Sequence, residues 1–471
     1  MADKGCDIGL VGLGVMGKNF ALNMADKGFR VGVYNRTEEK TRRFMKEEAG
    51  HRPIESAYSL EEFAAILKKP RAVLIFVPAG DPVDQVIGEL LVGTEAGDLI
   101  IDSGNSHFKD TDRREGSLSE KGILFLGMGI SGGEYGARHG PSLMPGGSEE
   151  AYNRVRPILE AAAAHVKGEP CVTYLGPHSA GHYVKMVHNG IEYGIMQLIA
   201  ESYDLLRRGL NFDEKALSSL YAEWNEGRMN GYLMEITAKV LGRKDEKTGR
   251  PLVDVILDRA RQKGTGKWTS WDALDLQIPV PTIDVAVAMR NMSDCKQERE
   301  KAGRVLSGPS AAYQGDKETF VRRLEKGLFA AIIITYAQGL GLLRRASHKY
   351  DYRLDLEAVA RIWRGGCIIR AALLEDIRSA FHRQPDLENL LLSPGLGNEV
   401  TERQKDLRDV VCTGTDLGIP VPGFMSALAY YDAYRSIQLP ANLIMAQRDF
   451  FGAHRYERID TEGTFHMEWE T

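Results

Sequence analysis

Ten residues near the start, "IGLVGLGVMG" at positions 8–17, restrict the fold more than any other stretch. A buried-strand pattern runs into Gly12-x-Gly14-x-x-Gly17, then into the helical "KNFALNMADKG" and a second strand-like run, "RVGVYNRT". Strand, tight turn, helix and strand within about 30 residues is the context that the dinucleotide-binding fingerprint requires. Glycine lets the backbone approach a pyrophosphate, and the helix N-terminus offers unpaired N–H groups and a positive dipole.

At the end of the second strand, where an NAD site usually carries an acid for the ribose 2′-hydroxyl, this chain has Asn35-Arg36-Thr37. Arg36 can pair with a 2′-phosphate while Asn35 and Thr37 donate hydrogen bonds, so NADP is the expected cofactor. Three further apolar runs, "AVLIFVPAG" (72–80), "DLIIDSGNSHF" (98–108) and "ILFLGMGISGG" (123–133), predict parallel strands whose C-terminal ends line a ligand crevice. Asn105 and the Ser131-Gly132-Gly133 turn then sit where a substrate meets the cofactor, although turn chemistry alone also accounts for them.

Beyond about residue 179 the strand pattern gives way to long helical periodicities that are written twice. "GIEYGIMQLIAESYDLLRRG" from 190 and "GLFAAIIITYAQGLGLLRRA" from 327 share a leading glycine, a central alanine and LLRR. Trp224-x-x-Gly227 returns as Trp363-x-x-Gly366, and "LQIPVP" as "LGIPVP", with the offset drifting only from 137 to 141 residues. Two units that bury each other's apolar faces explain a helical domain of this size. The expected fold is an α/β Rossmann domain (1–178), a duplicated all-α domain (179–436) and a short C-terminal tail (437–471).

One helix of the first unit, "GHYVKMVHNGIEYG" at 181–194, mixes ionisable residues into an apolar pattern. At about 100° per residue, Lys185, His188, Asn189 and Glu192 share one sector while Val184, Val187, Ile191 and Ile195 share another. Lys185 and Glu192 lie about 10.5 Å apart along the axis, a span that two long side chains can close around a small substrate. Gly190 and Gly194 add a smooth patch for close helix packing. A solvated face would show the same stripe. The duplication discriminates, because the second copy has Arg322, Glu325, Lys326 and Phe329 at these four positions. The scaffold repeats and the polar set does not, which favours a functional ridge.

Composition bounds what else the chain can be. With 471 residues, 43% apolar and 27% charged, it can bury a large core in two or three domains. Sixty basic and 65 acidic side chains give a charge of −5, which favours neither nucleic acid nor an anionic membrane, so local cations must meet any anionic ligand. Cys6, Cys171, Cys295, Cys367 and Cys412 are scattered and odd in number, as expected of reduced, buried thiols in a cytoplasmic protein. "LFAAIIITYAQGLGLL" suits a core helix better than a membrane span, "MADKGCD" lacks a secretory pattern, and "EWET" is no peroxisomal tripeptide. No compact His and carboxylate cluster has metal-ligand spacing, so no metal is expected.

Together, "GLGVMG", "NRT", "GISGGEYGARHGPSLMPGG", "GHYVKMVHNGIEYG", "QKGTGKWTSWDAL", "IWRGGCIIR" and "AQRDFFGAH" resemble the decarboxylating 6-phosphogluconate dehydrogenase family over essentially the whole chain. The resemblance implies an NADP-dependent oxidoreductase of the pentose phosphate pathway and of gluconate utilisation, acting on 6-phosphogluconate as a homodimer whose tail reaches the other subunit. It implies Lys185 as general base and Glu192 as general acid. It assigns substrate contacts to Asn105, Ser131, Gly132, Gly133, His188, Asn189, Tyr193, Lys263, Thr265 and Arg290, with Arg448 and His454 contributed across the dimer. Cofactor contacts fall at Gly12, Leu13, Gly14, Val15, Met16 and Gly17, at Asn35, Arg36 and Thr37, at Val77, Pro78 and Ala79, and at Asn105. Pro78, Ser103, His107 and Tyr135 depart from the family pattern. Arg448-Asp449 beside two phenylalanines suggests a partly buried arginine. Two rival readings are a β-hydroxyacid dehydrogenase that releases no CO2, and a catalytically silent NADP-binding regulatory protein.

Overall fold

The computed structural model describes residues 5–309 and 312–469. Residues 1–4 and 470–471, which enter the expectations about export and targeting signals, lie outside the described residues.

Strands and helices alternate through the first part of the chain: β1 (Ile8–Val11), α1 (Val15–Asp26), β2 (Val31–Tyr34), α2 (Glu38–Phe44), β3 (Ile54–Ser56), α3 (Leu60–Ala65) and β4 (Ala72–Ile75). The pattern continues with α4 (Asp81–Leu90), β5 (Leu99–Asp102), α5 (Phe108–Ser119), β6 (Leu124–Ser131), α6 (Gly133–His139), β7 (Ser142–Gly147) and α7 (Glu149–Ala162). These strands form one sheet in the order β3-β2-β1-β4-β5-β6-β7. Side chains alternate between two buried faces, Leu10, Leu74 and Ile101 packing on one and Val11, Val73, Ile75 and Ile100 on the other. Helices cover both faces, so the strands read as continuous apolar runs, not as alternation. The three later runs pair in parallel, as expected. β7, which the sequence reading did not foresee, adds to β6 antiparallel, pairing Ser131 with Ser142 and Leu126 with Gly147.

The second part opens with α8 (Ala180–Asp204), α9 (Glu214–Glu226), α10 (Tyr232–Leu241), α11 (Leu252–Val255), α12 (Thr265–Asp275), α13 (Pro281–Asp294) and α14 (Lys296–Val305). It continues with α15 (Lys317–Lys349), α16 (Leu356–Trp363), α17 (Leu373–Arg383), α18 (Pro394–Asp416) and α19 (Pro422–Tyr434). The duplication is structural. α8 and α15 begin 137 residues apart, and α13 and α19 begin 141 apart. Even the backbone repeats: Gln277 (φ 57°) and Gly418 (φ 65°) both take the left-handed conformation that ends the preceding helix. Val280 and Val421 share φ and ψ within a degree, at −128°, 49° and −129°, 49°.

α15 is capped by Asp316, whose side chain accepts from the Thr319 N–H at 3.0 Å, and its apolar body packs against α8 and α18. By length and composition it could cross a membrane, but it is mostly buried inside the protein, as a core helix is. Each fully buried Ile or Leu there contributes about 1.5–3 kcal/mol. The tail carries α20 (Ala441–Gly452) and a short hairpin pairing Tyr456 with Phe465.

Candidate active site

The glycine turn between β1 and α1 assigns three different tasks. Gly12 has φ 103°, and a β-carbon there would lie 2.3 Å from the Phe76 carbonyl. At Gly17 an added β-carbon would lie 2.0 Å from the Gly12 carbonyl, so helix and strand pack at contact distance. Gly14 faces open space, with nothing within 4 Å of such an atom. It is the position where a pyrophosphate can meet bare backbone at a helix N-terminus. Asn35 braces this turn by accepting from the Leu13 N–H at 3.0 Å and donating to the Thr37 carbonyl at 3.1 Å. Its oxygen is therefore committed internally, and one amide hydrogen remains for a ligand. Arg36 is exposed with no carboxylate in ion-pair range among the described residues, and Thr37 starts α2 without a capping bond from its hydroxyl. The residues present fit a phosphorylated dinucleotide. Val77, Pro78 and Ala79 form the loop after β4, with Pro78 and Ala79 exposed.

α8 carries the polar ridge, and the sheet sets its position. A β-carbon on Gly129 of β6 would lie 2.3 Å from Lys185 Cβ, and one on Gly146 of β7 would lie 2.2 Å from the Gly181 nitrogen. Side chains at either site would push the helix away. On other sides Gly190 meets Thr269 of α12 and Gly194 meets Thr335 of α15, the close packing expected of those glycines. The ridge is not a solvated face. Lys185, His188 and Asn189 are buried, and the Glu192 side chain is 20% exposed.

A directional hydrogen-bond chain runs along it. The Ile368 N–H donates to Ser131 Oγ at 3.4 Å, and that hydroxyl lies 3.3 Å from His188 Nε2. Asn189 Oδ1 lies 3.1 Å from His188 Nδ1 and accepts from Lys185 Nζ at 2.8 Å. Because an amide oxygen only accepts, Nδ1 of the histidine carries the proton and Nε2 accepts from serine. The same protonated Nδ1 also lies 3.5 Å from Lys185 Nζ, a longer contact than the 3.1 Å one it makes to Asn189. A neutral amine at this position carries a lone pair that can accept a proton.

Burial lowers the Lys185 pKa from its ordinary 10.5, opposed by the charge of Glu192. Burial raises Glu192 from 4.5, opposed by Lys185 and Arg290. The two shifts favour a free amine and a protonated acid. Burial, reinforced by Lys185, holds His188 well below its usual range, so it stays neutral.

The second repeat supplies the other wall. Trp363 meets the His188 ring edge-on with centroids 5.5 Å apart, and Ser142 donates from its backbone N–H to the Gly366 carbonyl at 2.7 Å. The Gly132 turn abuts that same carbonyl, and Gly133 begins α6. Arg290 lies over the Tyr193 ring at 3.5 Å. Among the described residues neither Arg290, Lys263 nor Arg448 has a carboxylate in ion-pair range, whereas nearby Arg259 and Arg299 are paired with Asp294 and Asp258. Three unpaired cations are what an acidic protein needs to hold an anion. Thr265 is buried at the start of α12, Lys263 is exposed before it, and Asn105 is exposed in the loop after β5.

Two family profiles together span nearly the whole chain: "NAD binding domain of 6-phosphogluconate dehydrogenase" over residues 7–176 and "6-phosphogluconate dehydrogenase, C-terminal domain" over 181–469. The chain belongs to the 6-phosphogluconate dehydrogenase family. It is 53% identical over 463 residues, 98% of both chains, to the NADP(+)-dependent, decarboxylating 6-phosphogluconate dehydrogenase of Bacillus subtilis (strain 168). It is 51% identical over 467 residues, 99% of both, to the decarboxylating enzyme of Lactococcus lactis subsp. lactis. Among solved structures, Plasmodium falciparum 6-phosphogluconate dehydrogenase, determined apo, with NADP+ and with 6-phosphogluconate, matches at TM-score 0.95 and 46% identity, covering 98% of this chain and all of that one.

Within this 6-phosphogluconate dehydrogenase fold, several expectations need correction. Arg448 is exposed; the buried residue is Asp449, which accepts from His466 at 2.9 Å, from the Met467 N–H at 3.0 Å and from Trp469 Nε1 at 2.9 Å. The donors grouped there, which include the Arg455 N–H at 3.0 Å, satisfy a buried carboxylate and offer nothing to a guanidinium, which only donates. Arg448 and His454 project from the tail and touch none of the ridge residues through a hydrogen bond within this chain. Cys6, Cys171 and Cys367 are buried as expected, but Cys295, in the link between α13 and α14, and Cys412, on α18, are exposed. Of the departures, His107 caps α5 by accepting from the Lys109 N–H and meets Trp268 edge-on at 5.0 Å, and Tyr135 is 74% exposed. The residues that sequence reasoning missed are Gly129, Gly146, Trp363 and Ile368. Two of these lie in the quoted "IWRGGCIIR", where a motif pointed to the segment without giving it a task.

Proposed function

We propose that this chain catalyses oxidative decarboxylation of 6-phospho-D-gluconate to D-ribulose 5-phosphate and CO2, with reduction of NADP to NADPH, in the pentose phosphate pathway. The observation that carries the reading is the buried amine of Lys185 and the half-buried acid of Glu192, shifted in opposite directions on one face of α8. Gly12 to Gly17, Asn35, Arg36, Thr37 and the 77–79 loop would hold the cofactor, which when bound accepts hydride from C3. Neutral Lys185 takes the C3 hydroxyl proton as that hydride departs, leaving a β-keto acid that loses CO2 readily. The resulting ammonium stabilises the enolate oxygen, and Glu192 delivers a proton to the former C2, which becomes C1 of the product, as the enediol becomes the ketopentose. Asn189 orients the lysine, and His188, Ser131, Asn105 and the Gly132–Gly133 turn contact the substrate. Lys263, Thr265, Tyr193 and Arg290 receive its anionic end.

The apolar residues that the tail leaves uncovered, Leu443, Ile444, Phe450 and Phe451, support a homodimer in which Arg448 and His454 complete the neighbouring site. The same reading makes this a soluble cytoplasmic enzyme. One assay tests the function: 6-phosphogluconate and NADP should yield NADPH and CO2 in equal amounts. NADPH without CO2 would mean simple β-hydroxyacid oxidation, and neither product would mean a silent NADP-binding protein.

A further inference from the structure

Two loops that this reading assigns to the ligands, residues 77–80 after β4 and 103–107 after β5, meet one buried guanidinium. Arg114 on α5 is 2% exposed. Its Nη2 donates to the Gly80 carbonyl at 3.1 Å and to Asp84 Oδ2 at 3.0 Å, while Nε donates to Asp84 Oδ1 at 2.8 Å. Its Nη1 reaches Asp102 Oδ2 at 3.2 Å and Ser106 Oγ at 3.3 Å. Asp102 is fully buried and folds the second loop back on itself, accepting from the Gly104 N–H at 3.0 Å and from the Ser106 hydroxyl at 2.6 Å. One rigid fork thus fixes the exit of β4, the first turn of α4 and the exit of β5.

The same helix also holds the catalytic ridge. Thr111, one turn before Arg114, lies 2.7 Å through Oγ1 from Nδ1 of His182, which is one turn before Lys185 on α8. Charge is balanced, because Arg113 also donates to Asp84 at 2.9 Å, and the two arginines hold that carboxyl down at about 2. Desolvation offsets most of what such a buried cluster contributes to stability, so its geometric consequence is the more informative one. A lysine cannot reproduce it, since an ammonium lacks a planar fork of five donors.

We infer that Arg114 is a positioning residue for hydride transfer, setting the separation between the 77–80 and 103–107 loops so that Asn105 and the nicotinamide end of the cofactor meet the substrate in register. The inference rests on the 6-phosphogluconate dehydrogenase reading. The fork makes no hydrogen bond to the 12–17 turn or to Arg36, and the turn meets the exit of β4 at Phe76 and Val77, ahead of the Gly80 carbonyl that the fork holds, so the adenosine end of the cofactor site is largely independent of it.

That independence supplies the test, made on full-length protein. Arg114→Lys should lower kcat/KM for 6-phosphogluconate about 100-fold. It should also raise the primary deuterium isotope effect with substrate deuterated at C3, because hydride transfer becomes more nearly rate-limiting. Affinity for adenosine 2′,5′-bisphosphate should stay within about twofold of wild type. Unchanged turnover and isotope effect would overturn the inference, as would bisphosphate affinity falling in step with turnover, the mark of a generally loosened domain. Ser106→Ala removes one hydroxyl, should show the same pattern with about a tenfold loss, and decides the matter if Arg114→Lys does not fold. A wild-type protein inert toward 6-phosphogluconate would sink the functional reading, and this inference with it, before any variant is compared.

Discussion

Gly129 on β6 faces Lys185 on α8 so closely that a β-carbon on the glycine would lie 2.3 Å from the lysine's Cβ and 2.7 Å from its Cγ. The placement of the Lys185 amine is therefore set by what the sheet omits. Gly129→Ala should displace α8 or rotate the lysine, costing about 1–3 kcal/mol of stability by overpacking. Turnover should fall about 100-fold, since a displacement near 1 Å is enough to do so. Thermal unfolding and steady-state rates measured together would check it; full activity in a stable Gly129→Ala protein would count against the packing argument.

Lys185→Ala should abolish hydride transfer while leaving NADP binding nearly intact, because the lysine lies on the ridge and not in the 12–17 turn. Glu192→Ala should mainly slow the later proton delivery. Isothermal titration with NADP and rapid-mixing measurements of NADPH formation separate the two.

The pH dependence follows from the directions of the shifts. In the proposed mechanism Lys185 acts as the free amine, and burial lowers its pKa from 10.5, so kcat/KM should climb as pH rises through that lowered value. In the same mechanism Glu192 acts as the acid, and burial raises its pKa from 4.5, so activity should decline as pH rises through that raised value. The profile should be a bell, and Glu192→Gln should remove its alkaline limb. A Glu192→Gln profile with that limb intact would reassign the acid.

Among the described residues Arg36, at the end of β2, has no carboxylate in ion-pair range, and it stands next to an Asn35 whose oxygen is already committed to the glycine turn. Arg36→Ala should weaken NADP binding about ten- to a hundredfold, the range for a charge-assisted hydrogen bond, and leave the weaker NAD binding nearly unchanged. Dissociation constants for both cofactors provide the check. Equal losses would mean that the arginine does not read the 2′-phosphate.

Deleting residues 440–471 should leave the Rossmann and helical cores folded, since α20 contributes little to either. If Arg448 and His454 serve a neighbouring site, the truncated chain should lose nearly all turnover and its ability to dimerise. Light scattering and activity on the same preparation would show this, and an active truncated monomer would refute tail exchange.

Local chemistry was readable without coordinates. The glycine fingerprint, the Asn35-Arg36-Thr37 terminus and the duplicated helices all announce themselves at short range or by internal comparison, because turns, caps and amphipathic periods are written in neighbouring residues. The sequence by itself therefore determined a Rossmann unit followed by a repeated helical unit, and it singled out Lys185 and Glu192 by their absence from the second copy. The tertiary structure alone decided how those groups behave. Burial of Lys185 depends on Gly129 and Gly146 from a strand pair more than 30 residues away, and the antiparallel β7 had no local signature to distinguish it from a loop. Trp363 and Ile368 reach the ridge from nearly 180 residues along the chain. In the same way the Arg114 fork joins loops whose residues carry no common motif. Contacts of this kind are fixed by packing between distant elements, and packing depends on the shape of both partners at once, which no single stretch of sequence contains.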